Sequence, residues 1–193
     1  MINVNMKEVM KGFVKHGDVS EETIRKYKGI VSERVIEFWK EYGYGSFYGG
    51  FFQSINPDDY LGVMKESIEE RHHDSIPLFV TAMCDLIILD GDYIVGCFYR
   101  YGAMGNVCKA MQTFYALLKS QEAPKNRLYI EPYLEAKKKY GEPEYGYGFG
   151  YVPLLPLGGK MSVDNLEKLD IITHIRINAS LIGQIDYGLN NGI

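Results

Sequence analysis

Two adjacent histidines followed by an aspartate, His72-His73-Asp74, are the one cluster in this sequence built from the residue types of a metal site. A structural or catalytic metal needs three or four donors converging on one point. Neighbouring residues on a helix point about 100° apart, and no further ligand stands at a familiar spacing, so a solvated loop explains the trio better. Gly146-Tyr-Gly148-Phe-Gly150 has the look of a phosphate loop, but a dinucleotide fingerprint needs G-x-G-x-x-G opening a helix, and this run leads into Pro153. Its glycines suit a strand against which another backbone or large rings pack closely. Gly158-Gly159-Lys160 lacks the upstream glycine and the following Ser/Thr of a P-loop. No G-x-S-x-G elbow occurs, and neither His16 nor His174 has an evident Ser or Cys partner; His174, in an apolar stretch, reads as a core histidine.

Three cysteines, Cys84, Cys97 and Cys108, are odd in number, more than ten residues apart and set among apolar neighbours, which fits reduced core thiols rather than a disulfide framework. The acid pairs Asp58-Asp59 and Glu69-Glu70 fit a helix start and a solvated face. These residues therefore assign no catalytic, cofactor or metal site, and the expectation is a binding protein, not an enzyme.

What could bind is aromatic and acidic. The stretch from Trp39 to Phe52 holds Trp39, Tyr42, Tyr44, Phe47, Tyr48, Phe51 and Phe52 among glycines. Such a cluster either roofs a sheet or anchors a partner, and the roof is the commoner use. Tyr44, Phe47 and Tyr48 are the anchor candidates, with Asp58, Asp59, Glu66, Glu69, Glu70, Asp90 and Asp92 as acidic ones. The net charge is −4 with no dense Lys/Arg block, which disfavours direct nucleic-acid binding and would steer a basic protein partner inward. No apolar run is long enough to span a bilayer, and the first residues lack a signal peptide's apolar core, so a cytoplasmic protein, monomeric or weakly dimeric, is expected.

The elements that must position these residues are those of an α+β protein. Met6, Val9, Met10 and Phe13 follow helical spacing toward Gly17; Ser20 and Ser32 stand where helix caps belong, the latter before Val35, Phe38 and Trp39 on one face. After a Gly/Tyr-rich turn at Gly43 to Gly50 comes a short strand, Phe51 to Ile55, and then Asn56-Pro57-Asp58-Asp59, a cap, an N1 proline and two acids. That helix runs to about Ile68, and a polar loop follows to Ser75. From Ile76 to Tyr101 the texture is that of an antiparallel meander, with Asp90-Gly91 as a type I′ hairpin link. Helices are predicted around Ala110 to Leu118, Ile130 to Tyr140 and Ile171 to Ile182, and a Tyr/Gly strand at Tyr145 to Val152. The outcome is one compact unit over 1–193: a central antiparallel sheet flanked by N-terminal and C-terminal helices.

The segment Val35-Ile-Glu-Phe-Trp39-Lys-Glu-Tyr42-Gly43, then Ile55-Asn56-Pro57-Asp58-Asp59-Tyr60, resembles the GAD-like domain family, and Thr81-Ala82, Asp85-Leu86 and the hairpin are similar to that family's meander. Phe149-Gly-Tyr-Val152-Pro153, Leu157-Gly158-Gly159 and Asn165-Leu166-Glu167-Lys168 resemble the companion C-terminal domain of bacterial type VI secretion immunity proteins. Departures are the tyrosine-rich turn after Gly43, Pro156 and the loop from His72 to Ser75. The resemblance implies a GAD-like half over 5–105, an immunity-protein-like half over 106–186 and a tail over 187–193. It further implies a cytosolic antidote that binds and blocks a cognate secreted toxin, in characterised relatives a DNase, with no catalytic residues to carry over. A small-molecule-sensing or scaffold module of GAD-like fold is the alternative, and a hydrolase around His72, His73 and Asp74 ranks last.

Overall fold

A computed structural model describes residues 6–120 and 123–188. Seven strands, β1 Val14–Gly17, β2 Tyr44–Phe47, β3 Phe52–Ser54, β4 Ile76–Thr81, β5 Leu86–Asp90, β6 Tyr93–Phe98 and β7 Ala103–Lys109, form one sheet in chain order, every neighbouring pair antiparallel. The middle strands are apolar without alternation because both faces of the sheet are covered. Side chains of a strand point to opposite faces in turn, so Leu86 and Ile88 enter one core while Ile87 and Leu89 enter the other.

The first core gathers α3 (Glu33–Glu41), α5 (Met111–Lys119) and α7 (Glu131–Tyr140) around Phe38, Trp39, Phe47, Phe52, Phe79 and Phe114. Phe79 stacks on Phe114 at 5.7 Å between centroids and meets Phe38 edge-on at 5.7 Å. The second core lies under α4 (Pro57–Ser67) and α8 (Ile171–Ile182), with Val63, Met64, Ile171 and Ile175 against Val80, Ile88 and Val95. Helix starts follow the sequence. The Asn56 side chain accepts from the Asp58 N–H at 3.3 Å ahead of Pro57, the Ser20 hydroxyl accepts from Thr23 at 3.0 Å at the head of α2 (Glu21–Tyr27), and Asp170 accepts from Thr173 at 2.8 Å. Ser32 precedes α3 without a side-chain cap bond.

Tyr/Gly strand β8 (Tyr147–Tyr151) pairs antiparallel with β9 (Leu166–Asp170) and docks on the main sheet through the buried Gln53 amide, which donates to the Tyr147 carbonyl at 2.9 Å and accepts from the Gly146 N–H at 2.7 Å. Its glycines are there for close approach. A Cβ at Gly148 would lie 3.0 Å from the Ala82 carbonyl oxygen, and one at Gly150 would lie 2.4 Å from His174 Nε2.

Three readings are corrected. The first helix, α1, covers only Met6–Val9, because Gly12 turns the chain at φ +83° and the following residues pair with β2. Half of the supposed turn at Gly43 to Gly50 is strand β2. The hairpin link is Gly91-Asp92, since Asp90 pairs with Tyr93, and only Gly91 has positive φ, which is not the type I′ pattern. Strand β7, strand β9 and α6 (Ala123–Leu128) had no periodic signature in the sequence. Of the tail at 187–193, residues 189–193 lie outside the described residues.

Candidate functional site

The ten candidate contact residues do not form one patch, and Glu66 among them is paired with Arg176 at 3.3 Å. Tyr44, Asp58 and Asp59 gather where β2 meets the start of α4; burial first, then the Asp59 and Asp58 charges, push the Tyr44 phenol up. Asp58 is already engaged, accepting from Tyr27 at 2.6 Å and from Lys26 at 2.5 Å. Burial opposes ionisation there, but these two donors outweigh it and hold the carboxyl below its ordinary value. Glu69 and Glu70 are exposed at the other end of α4, whose 11 residues span roughly 16 Å.

Phe47 has no exposed surface and is spent in the first core, so it is removed as an anchor; it touches Phe52 at 5.2 Å and Phe79 at 5.4 Å. Tyr48 is half-buried at φ +55° beside a solvent-open cavity of about 390 Å³ that Lys11 and Lys119 also line. Phe51 and Phe52 are likewise fully buried, so this aromatic run is chiefly a roof.

His72 is not in a solvated loop. It is buried, with Nδ1 3.0 Å from Asp90 and Nε2 3.0 Å from Asp186, and the Ser75 and Tyr187 hydroxyls donate to the same Asp90 at 3.1 and 3.2 Å. Arg71 pairs with Asp186 beside it. Asp90 is therefore an internal acceptor that ties residues 185–188 onto the sheet, where Met104 also donates to the Asp186 carbonyl at 2.8 Å. Asp92 is exposed and faces Lys109 at 3.6 Å. His73 Nε2 sits 3.1 Å from the Ile68 carbonyl, and among the described residues no group of three or more His, Cys, Asp or Glu is placed to hold a metal.

Burial also decides the thiols. It pushes Cys84 and Cys97 far above the ordinary value and Cys108 up to about 12, away from the thiolate that nucleophilic chemistry needs. His174 is driven down to about 4 by burial, with Gly150 against its ring.

Sequence reasoning missed the most deeply buried charges. Asp85 and Arg100 pair at 3.1 Å with side chains 0% and 4% exposed, and Arg100 also reaches the Leu128 and Tyr129 carbonyls at 3.2 and 3.1 Å. Burial raises Asp85 to about 6 even though Arg100 and the Thr81 hydroxyl pull it down. A lone acid and a lone arginine inside apolar strand texture were the available signal.

No curated protein matches the chain. Among solved structures, that of Atu4351 from Agrobacterium tumefaciens superposes with a TM-score of 0.75 at 17% identity, covering 92% of this chain and 89% of that one, which shows a shared fold. No helix among the described residues is long and apolar enough to cross a membrane. Residues 2–95 match the GAD-like domain, and residues 108–185 match the C-terminal domain of the T6SS immunity protein Tdi1. The chain therefore belongs to the proteins that join a GAD-like domain to a Tdi1-type T6SS immunity domain.

Proposed function

We propose that this immunity protein acts in the cytoplasm by binding a cognate secreted toxin, a nuclease, and covering its active surface without turning anything over. The observation that carries this reading is the match of residues 108–185 to the Tdi1 C-terminal domain. The charge distribution supports it. A nuclease surface is basic because it must meet phosphate, and a chain of net charge −4 with exposed Asp59, Glu69, Glu70 and Asp92 gains association rate from the opposite sign. Burial keeps Cys84 and Cys97 protonated, so neither is poised as a nucleophile.

The test is to purify the chain, mix it with a candidate nuclease toxin taken from a neighbouring reading frame, and follow DNA cleavage and complex formation together. Stoichiometric loss of cleavage, with an association rate that falls as salt rises, is the expected result. Full cleavage in the presence of excess chain would overturn the proposal.

A further inference from the structure

A cavity of about 240 Å³ has Met161, Val163 and Leu166 in its lining. Three tyrosines wall it, each from a different part of the chain: Tyr101 from the turn before β7, Tyr129 from the link between α6 and α7, and Tyr151 from the end of β8. The Tyr101 and Tyr129 rings meet edge-on at 5.2 Å, and Phe98 supports Tyr129 from behind at 5.0 Å. Two carboxylates, Glu131 and Glu135, join the lining from the first turns of α7, both on exposed residues.

The walls are fixed before any ligand arrives. Tyr129 sits at φ +49°, a conformation a tyrosine seldom holds unless its surroundings impose it. Arg100 imposes it by gripping the Leu128 and Tyr129 carbonyls from within, and its own charge is answered by Asp85 at 3.1 Å. Arg100 also lies over the Tyr101 ring, 5.1 Å from its centroid, so that ring already answers one cation of the chain; the two glutamates are the carboxylates of the lining, with Lys125 3.7 Å from Glu131.

Aromatic faces together with carboxylates are complementary to a cation, which rings attract through their quadrupole and carboxylates through charge. The volume lies under the range of roughly 300 Å³ and above that small-molecule sites occupy. It suits one side chain. Met161, 63% exposed on the same lining, supplies the apolar collar that shields a docked anchor from water.

We propose that this tyrosine and glutamate cage seats one arginine or lysine side chain of the toxin, as an anchor point of the complex. The inference rests on the toxin-binding reading above, and the two can fail separately. N-acetyl-arginine amide is titrated into the full chain and followed by NMR, with the neutral isostere N-acetyl-citrulline amide as control. The arginine probe is expected to bind saturably in the millimolar range, to shift resonances around Tyr101, Tyr129 and Glu135, and to bind about tenfold more tightly than the citrulline probe. Glu135→Gln should weaken it roughly threefold while leaving the fold intact, because residue 135 is exposed. Equal binding of the two probes, or shifts confined to other surfaces, would overturn the cage. In the toxin assay, the double variant Glu131→Gln/Glu135→Gln should dissociate faster than the unaltered chain. Unchanged dissociation would remove the anchor and leave the immunity reading standing; failure of the unaltered chain to bind toxin, with the arginine probe still bound, would remove the toxin as the source of the side chain.

Discussion

Arg100 lies 3.1 Å from Asp85 in a site where neither side chain is more than 4% exposed, and the same nitrogen that faces the carboxylate reaches the backbone at Leu128 and Tyr129. One guanidinium thus joins the loop between β4 and β5 to the entry of α7. Removing one member of a buried pair strands the other charge. Arg100→Met should cost about 3–5 kcal/mol in a urea denaturation measured near neutral pH, and Arg100→Met/Asp85→Asn should recover part of it. The Tyr129 backbone, no longer held, should show faster amide exchange in the single variant.

His174 gives a pH dependence of definite sign. Its folded pKa is lowered from 6.5 to about 4, so below pH 6.5 the unfolded chain takes up a proton that the folded one refuses. The stability it contributes is complete above 6.5 and is lost as pH falls toward 4. Asp85, raised to about 6 chiefly by burial, acts in the opposite sense, its contribution being complete below its ordinary 3.8 and lost as pH rises through 6. The two overlap, so the measurement is a difference. The unaltered chain should lose up to about 1.4 kcal/mol per pH unit relative to His174→Gln between pH 6.5 and 4, read from denaturation midpoints at each pH.

Gly45 is a point of close approach at the edge of the sheet. A Cβ there would sit 2.3 Å from the Val14 carbonyl oxygen and 2.7 Å from the Phe13 ring. Since Lys15 pairs with Gly45, Gly45→Ala should push β1 away and destabilise the chain by about 1–3 kcal/mol. Amide protection should fall at Val14 to Gly17 before it falls elsewhere.

Core and surface candidates should separate cleanly. Phe47→Ala should cost about 3–5 kcal/mol of stability, as expected for a ring with no exposed area. Glu69→Lys/Glu70→Lys should leave the melting temperature nearly unchanged and slow association with the toxin at low salt by roughly tenfold.

The parts of the fold legible in the sequence were those with local rules behind them. Asn56-Pro57 declared a helix start, Val35, Phe38 and Trp39 declared the buried face of α3, and the texture from Ile76 to Tyr101 declared a meander, all as the structure has them. What escaped depended on partners distant in the chain. Val14–Gly17 becomes a strand only because β2 lies beside it, and Leu166–Asp170 only because β8 does. His72 looked solvated until Asp186, 114 residues away, closed over it. The tyrosine cage was invisible for the same reason, since residues 101, 129 and 151 share no spacing and meet only after the sheet and α7 have packed.

The most direct test of the central claim is titration of the chain into a DNA-cleavage reaction run by the nuclease toxin proposed as its partner, with complex stoichiometry measured by light scattering on the same samples. Cleavage should fall linearly to zero as the chain reaches one equivalent, with the DNA itself unbound by the chain and no product of the chain's own making. Cleavage that persists at excess chain, or that is suppressed by substoichiometric amounts in the manner of an enzyme, would contradict it.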